Sequence, residues 1–189
     1  MLSRRIHRYI GLVLLFPIIG WALTGLVFLI KPGYDSAYEV ITIKTYPLDQ
    51  KLNIAVNENW EEVRVIKSLL GSHLLVTTKG KTKHLDFNTL KQEPMPSVIE
   101  VTRLVGDAIA DNKERYGSVL TVDGATAYTT TGIEVTVNWD ELKLNQIGSD
   151  RHFIDWLYKV HYLQWTPWRL ANNVLGIVGL LLLVTLTAI

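Results

Sequence analysis

The chain has 189 residues, 48% of them hydrophobic and 20% charged, with 19 Lys+Arg against 18 Asp+Glu and no cysteine. The absence of cysteine excludes disulfides, thiolate metal sites and cysteine nucleophiles. A formal net charge of +1, with no concentrated basic face, excludes nucleic acid as a partner.

The first element is apolar. No charged residue occurs from Tyr9 to Ile30, and a helix of that length spans about 33 Å, close to the roughly 30 Å hydrocarbon core of a bilayer. A cleaved signal peptide would have an apolar run of about 7–15 residues and then a small-residue cleavage site. This run is longer and ends in Phe28-Leu29-Ile30-Lys31-Pro32. Pro17 removes the helical hydrogen bond to the Val13 carbonyl, which predicts a bend. Arg4, Arg5 and Arg8 precede the run and only Lys31 follows closely, so the N-terminus is expected in the cytoplasm and residues 32–168 outside it.

Residues 34–60 have weak periodicity and read as an extended lead-in. Val63 to Leu70, His73 to Thr78 and Lys81 to Phe87 read as three strands, with Gly71-Ser72 and Gly80 as turns. Ser97 is a candidate N-cap with Glu100 as its capping-box partner, and the apolar spacing that follows predicts an amphipathic helix over 97–112. After Gly117, strand-like runs cover 119–122, 126–130, 133–139 and 142–147, the first three separated by Asp123-Gly124 and Thr131-Gly132. Strands, one helix, then strands again predict a small α+β domain with an antiparallel sheet, and the two strand-rich halves suggest a degenerate internal repeat. No Gly-rich phosphate loop, G-x-S-x-G or carboxylate–His cluster on a predicted helix occurs in it.

Asp150 to Trp165 predicts an amphipathic approach helix. A second apolar segment, Leu170 to Ile189, is free of charge and returns the chain across the membrane, with Trp165 and Trp168 at the level of an interfacial aromatic belt. No polar tail follows Ile189, which suggests a minimal terminus or a longer chain. The organisation expected is therefore an N-terminal transmembrane helix (1–31), an extracytoplasmic α+β domain (32–149), and an approach helix with a C-terminal transmembrane helix (150–189).

Five histidines are the candidate ligands. His73 and His84 flank Gly80; pairing around that turn would set His73 near Phe87 and His84 near Val76, so they are expected as ordinary sheet residues without mutual contact. His152 and His161 lie nine residues apart, on opposite faces of one helix, and His152 is expected in solvent or at a cap. His161 shares its predicted face with Ile154, Leu157, Trp165 and Trp168. His7 shares its face with Gly11, Leu14, Ile18, Trp21 and Gly25, and Gly11, one turn away, leaves room for a flat macrocycle or a close helix. Spacing alone is satisfied by interfacial anchoring. It also suits axial ligation of haem iron, which needs an imidazole facing an apolar lane. His7 and His161 would lie a bilayer apart, so one haem cannot join them. A parallel homodimer, each His meeting its copy, or a partner subunit would supply the second ligands.

The ends of the chain carry a resemblance. RRIHRYIGLVLLFPIIGWALTG, with Arg4, His7, Gly11, Thr24 and Gly25, resembles the first helix of the PepSY-associated transmembrane family. DWLYKVHYLQWTPWRLANNVLGIVGLLLLV, with His161, Gly176 and Gly179, resembles its returning helix, and the middle looks like a diverged PepSY region. Larger members of the family include haem-b membrane reductases acting on iron–siderophore complexes. The resemblance implies a bacterial inner-membrane protein and haem b on His7 and His161 as iron ligands. It further implies Gly11, Gly25, Trp165 and Trp168 around the cofactor, and flavin on a partner protein. The functions it supports are electron transfer to an extracytoplasmic acceptor, such as a ferric siderophore, or, as a different class, a non-enzymatic accessory subunit or sensor of a larger membrane complex. In that second class Asn172 and Asn173 would bond between helices. The chain departs from the reductases in having two membrane helices rather than four or more, no flavin or nicotinamide module, and Thr185-Leu186-Thr187 in place of a second Thr-Gly ending.

Overall fold

The computed structural model describes residues 2–49, 54 and 57–188. They divide into two compact units: one made of both chain ends, 1–34 and 150–189, and one made of 35–149.

In the unit formed by the ends, α1 (Leu2–Ile30) runs unbroken through Pro17. It stops where Lys31 turns to a positive φ of 51° and Pro32 cannot continue the ladder. Lys31 N donates to Val27 O at 2.7 Å in closing the last turn. α5 (Ser149–His161) is shorter and amphipathic, burying Ile154 and Leu157 while Phe153 and Trp156 stay exposed. α6 (Arg169–Ala188) buries no residue fully. Arg4–Ile30 and Arg169–Ala188 have mean hydropathies of 2.5 and 2.0 over their most apolar stretches and are long enough to cross a membrane. At 1.5 Å per residue they extend about 40 and 30 Å. Their outward apolar side chains, such as Phe16 and Leu180, are what a lipid-facing surface requires. Gly11 faces α6: a Cβ there would lie 3.8 Å from Leu186 Cδ1.

The other unit holds two separate antiparallel meanders. β1 (Glu62–Ser68), β2 (Gly71–Thr78) and β3 (Lys81–Leu85) form one sheet; β4 (Val119–Asp123), β5 (Thr126–Thr129), β6 (Glu134–Asn138) and β7 (Lys143–Ile147) form the other. The strands fall where alternation placed them, but in two sheets rather than one. The lead-in is partly helical, with α2 at Tyr34–Ala37; residues 50–53 and 55–56 of it lie outside the described residues. α3 (Val98–Ile109) begins at the predicted capping box: Ser97 N donates to Glu100 Oε2 at 2.8 Å and Glu100 N to Ser97 Oγ at 3.4 Å. Its periodic positions Val101, Leu104, Val105 and Ile109 are buried in one core with Leu75, Val135, Val137 and Trp139. A one-turn helix, α4 (Lys113–Tyr116), follows it.

Gln146, 3% exposed on β7, ties the start of this unit to its end. Its Nε2 donates toward the carbonyls of Ala37 at 3.0 Å and of Ser36 and Glu39 at 3.3 Å, while its Oε1 accepts from Arg115 at 2.9 Å. Tyr116 OH donates to Glu39 at 2.9 Å. Burial first, and the carboxylate second, push the Tyr116 phenol up to about 12. The segments that connect this unit to both membrane helices are therefore fastened to each other within it.

Candidate functional site

His161, the last residue of α5, is held by α1. Its Nδ1 lies 2.9 Å from Thr24 Oγ1, and its ring stacks on Trp21 (centroids 5.4 Å apart, planes at 22°) and meets Phe28 edge-on at 5.0 Å. Phe28 in turn stacks on Tyr158, one turn earlier on α5, at 4.4 Å. A Cβ on Gly25 would sit 3.9 Å from His161 Cε1. Gly25 therefore leaves room for the imidazole edge, and the bulk of any larger side chain would press on it.

The tautomer follows from the threonine. Thr24, 5% exposed, back-bonds to Gly20 O at 2.8 Å and, more weakly, to Trp21 O at 3.1 Å, as membrane-helix threonines do. Its one hydroxyl proton is committed there, so the oxygen offers His161 a lone pair. We assign the proton of the neutral ring to Nδ1. Nε2 then carries a free lone pair, and no described residue hydrogen-bonds to it. A ring whose one nitrogen is oriented by a hydrogen bond while the other is free is the arrangement metal-bound histidines use. His161 is therefore the residue of this unit that could hold a metal through Nε2. A groove of ≈ 620 Å³ on the same unit is lined by apolar side chains such as Phe16, Leu23 and Trp165 and by Lys159 and Gln164, and His161 is not part of its wall.

His7 is exposed near the start of α1. Eighteen residues separate it from Gly25, about 27 Å along the helix, and at 100° per residue the two share one face. Among the described residues, neither His7 nor His161 meets a second histidine. Trp165 and Trp168 do not continue the His161 face: α5 ends at His161, and Leu163 adopts φ 56°, turning the chain away. Trp165 Nε1 donates to Val160 O at 3.0 Å, and both indoles are exposed, as belt residues would be. Asn172 serves a local purpose, not an interhelical one. Its side chain accepts from Thr166 N and Oγ1 at 2.9 and 2.8 Å and donates to Thr166 O at 2.8 Å, closing the turn before α6. Asn173 is exposed, and so is His152 on α5. Thr24, which sequence reasoning quoted only as part of a motif, is the residue that orients His161; the i−4 spacing to Gly20 was its available signal.

The family described as the PepSY-associated TM region matches residues 4–188. The chain belongs to that family. It is a membrane protein seated in the bilayer by α1 and α6, with a PepSY-like extracytoplasmic domain between them in sequence. No curated protein and no solved structure matches it.

The extracytoplasmic domain of this chain holds a buried pair of histidines that were expected not to touch. His73 Nδ1 and His84 Nε2 are 3.1 Å apart, and the rings are 5% and 1% exposed. The expected pairing centred the hairpin on Gly80. The real turn has two residues, Lys79 and Gly80, both at positive φ (51° and 69°), so Thr78 opposes Lys81 and Leu75 opposes His84. That one-residue change of register makes the histidines diagonal neighbours on one face. Among the described residues, no group of three His, Cys, Asp or Glu is placed to hold a metal ion.

Proposed function

We propose that the protein is a haem-b-binding membrane electron-transfer protein with its N-terminus in the cytoplasm, passing electrons toward an extracytoplasmic acceptor. The observation that carries this reading is the oriented His161: Nδ1 is engaged by Thr24, and Nε2 has no hydrogen-bond partner among the described residues. His161 would hold the outer haem and His7 the cytoplasmic-side one. Bound haem supplies one-electron redox chemistry between ferric and ferrous iron.

The chain's own residues position and insulate. Thr24 fixes the ring, Trp21 and Phe28 hold it against rotation, and the lipid-facing walls of α1 and α6 exclude water. His7 and His161 cannot meet within a chain, so the second imidazole at each level comes from a second copy, or from another subunit of a larger complex. Each electron accepted on the cytoplasmic side, from a flavin-bearing partner protein, leaves on the outer side to a ferric chelate such as an iron–siderophore. Donor and acceptor are both taken from the family resemblance.

The test uses the protein purified in mild detergent from haem-replete cells. The reading expects a Soret band that shifts on dithionite reduction, and a partial loss of it in His161→Ala and in His7→Ala. A Soret band unaltered in both variants would overturn the assignment of ligands. A colourless wild-type protein would overturn the function and leave the accessory or sensor role.

A further inference from the structure

The buried pair in the extracytoplasmic domain forms one directed chain of hydrogen bonds. Trp139 O can only accept, so His84 Nδ1, 3.1 Å away, carries a proton. In a neutral ring His84 Nε2 is then an acceptor, and His73 Nδ1 donates to it. His73 Nε2 in turn accepts from Ser68 Oγ at 2.6 Å, and Ser68 Oγ accepts from Leu70 N at 3.0 Å. One carbonyl thus sets every proton from β1 to Trp139, and each ring is left with a single lone pair, already used.

This chain joins the two sheets. His73 and His84 belong to β2 and β3, and Trp139 stands in the turn between β6 and β7. The Trp139 ring lies on both imidazoles, 4.4 Å from His84 and 5.4 Å from His73. Its own Nε1 is buried and finds no partner among the described residues. The polar hold on the turn runs instead through its carbonyl and through Asp140 Oδ1, which accepts from Gln92 Nε2 at 3.1 Å.

We propose that His73 and His84 form a proton-operated latch between the two sheets, closed while both rings are neutral and released when either is protonated. An added proton has only two places to go. On His84 Nε2 it sets two N–H groups against each other; on His73 Nε2 it makes that nitrogen a donor to Ser68 Oγ, whose hydroxyl proton must rotate away and lose its acceptor. The second arrangement costs the buried hydroxyl its acceptor, and in both a net charge remains in a dry interface.

The charged groups nearby do little to hold that charge. Burial keeps His84 below the usual imidazole range, outweighing the Trp139 carbonyl and then Asp140, which both favour its charged form. Burial, and secondarily His84, lower His73 to about 4. Glu93, whose N–H bonds to His84 O, has its carboxyl raised by burial, then by Asp86 and Glu100. Its protonation on acidification favours the closed form, so it cannot cause the opening. Arg64 on β1 acts on Glu141 of the same turn, which is also paired with Lys143.

The sign is that of a base held neutral by folding. The closed form is fully favoured above the ordinary value of 6.5 and loses ground as pH falls from there toward about 4. For His73 alone, the population of the open form rises about 30-fold between pH 7.5 and pH 5.

Hydrogen exchange on the full protein in lipid nanodiscs tests this, with rates corrected for intrinsic pH dependence. The latch predicts a roughly 30-fold gain in opening over 133–147 and 71–76 at pH 5. It predicts no gain in His73→Gln/His84→Asn, which keeps amide donors and cannot titrate. Equal opening at both pH values in the wild type, or the wild-type gain persisting in the variant, would overturn it. If the variant lacks protection at pH 7.5, histidine C2–H exchange in the wild type decides: an inflection well below 6.5 for His73 supports the latch, and one near 6.5 overturns it.

Discussion

Replacing Gln146 by Leu removes the fastening between the two ends of the extracytoplasmic domain while nearly conserving volume. The amide NH2 has two protons for three carbonyls: Ala37 O, buried and at 3.0 Å, loses a full bond, while Ser36 O and Glu39 O, both at 3.3 Å, lose a shared one, and Ser36 O keeps the Glu39 N–H. Arg115 also loses its 2.9 Å acceptor. Each buried group left unsatisfied costs about 1–3 kcal/mol, and leucine returns roughly 1 kcal/mol of apolar burial. The net loss is about 1–3 kcal/mol, set against the roughly 5–15 kcal/mol that stabilises a typical domain. Urea titration of the full protein in detergent, followed by limited proteolysis between residues 36 and 49, measures both the loss and its place. A midpoint change worth less than about 1 kcal/mol, with that segment still resistant, would refute the reasoning.

Gly117 sits at φ 64°, ψ −115°, and a Cβ there would land on Thr130 Oγ1, the acceptor of the Ser118 N–H. Gly117→Ala is therefore expected to destabilise by about 2–4 kcal/mol, read as a lower thermal midpoint. Thr24→Val removes the oxygen facing His161 Nδ1, whereas Thr24→Ser keeps it. Nitrogen-15 NMR of the imidazole in haem-free protein is expected to show the Nδ1–H form weakened by about 1 kcal/mol in the valine variant and retained in the serine variant. At Gly25, alanine meets His161 Cε1 at ordinary contact distance (3.9 Å) and is expected to be tolerated. Leucine overpacks the site by about 1–3 kcal/mol and is expected to displace the ring, giving the same NMR change as Thr24→Val.

What could be read from the sequence was what local spacing encodes. Ser97 and Glu100 are three residues apart and cap α3 as expected, and the α3 core face follows its 3.6-residue period. The charge-free runs placed both long apolar helices. The His73–His84 contact was missed because a hairpin of two residues and one centred on Gly80 differ by a single step, and only the backbone at Lys79 decides between them. The end of α5 was missed for a similar reason: Leu163 takes a left-handed conformation that no glycine announces, so Trp165 and Trp168 were placed on a helix that had already stopped. The partner of His161 lies 137 residues away in sequence. Periodicity could show the imidazole's apolar face but not Thr24 on the other side of it, because that contact is made by tertiary packing of α5 on α1.

Haem content per chain bears most directly on the account as a whole. Wild-type protein from haem-replete membranes should carry up to two haems per pair of chains, with the low-spin ferric resonance of iron held between two imidazoles. A preparation without tetrapyrrole, or one whose iron shows a single-histidine high-spin signal, would contradict it.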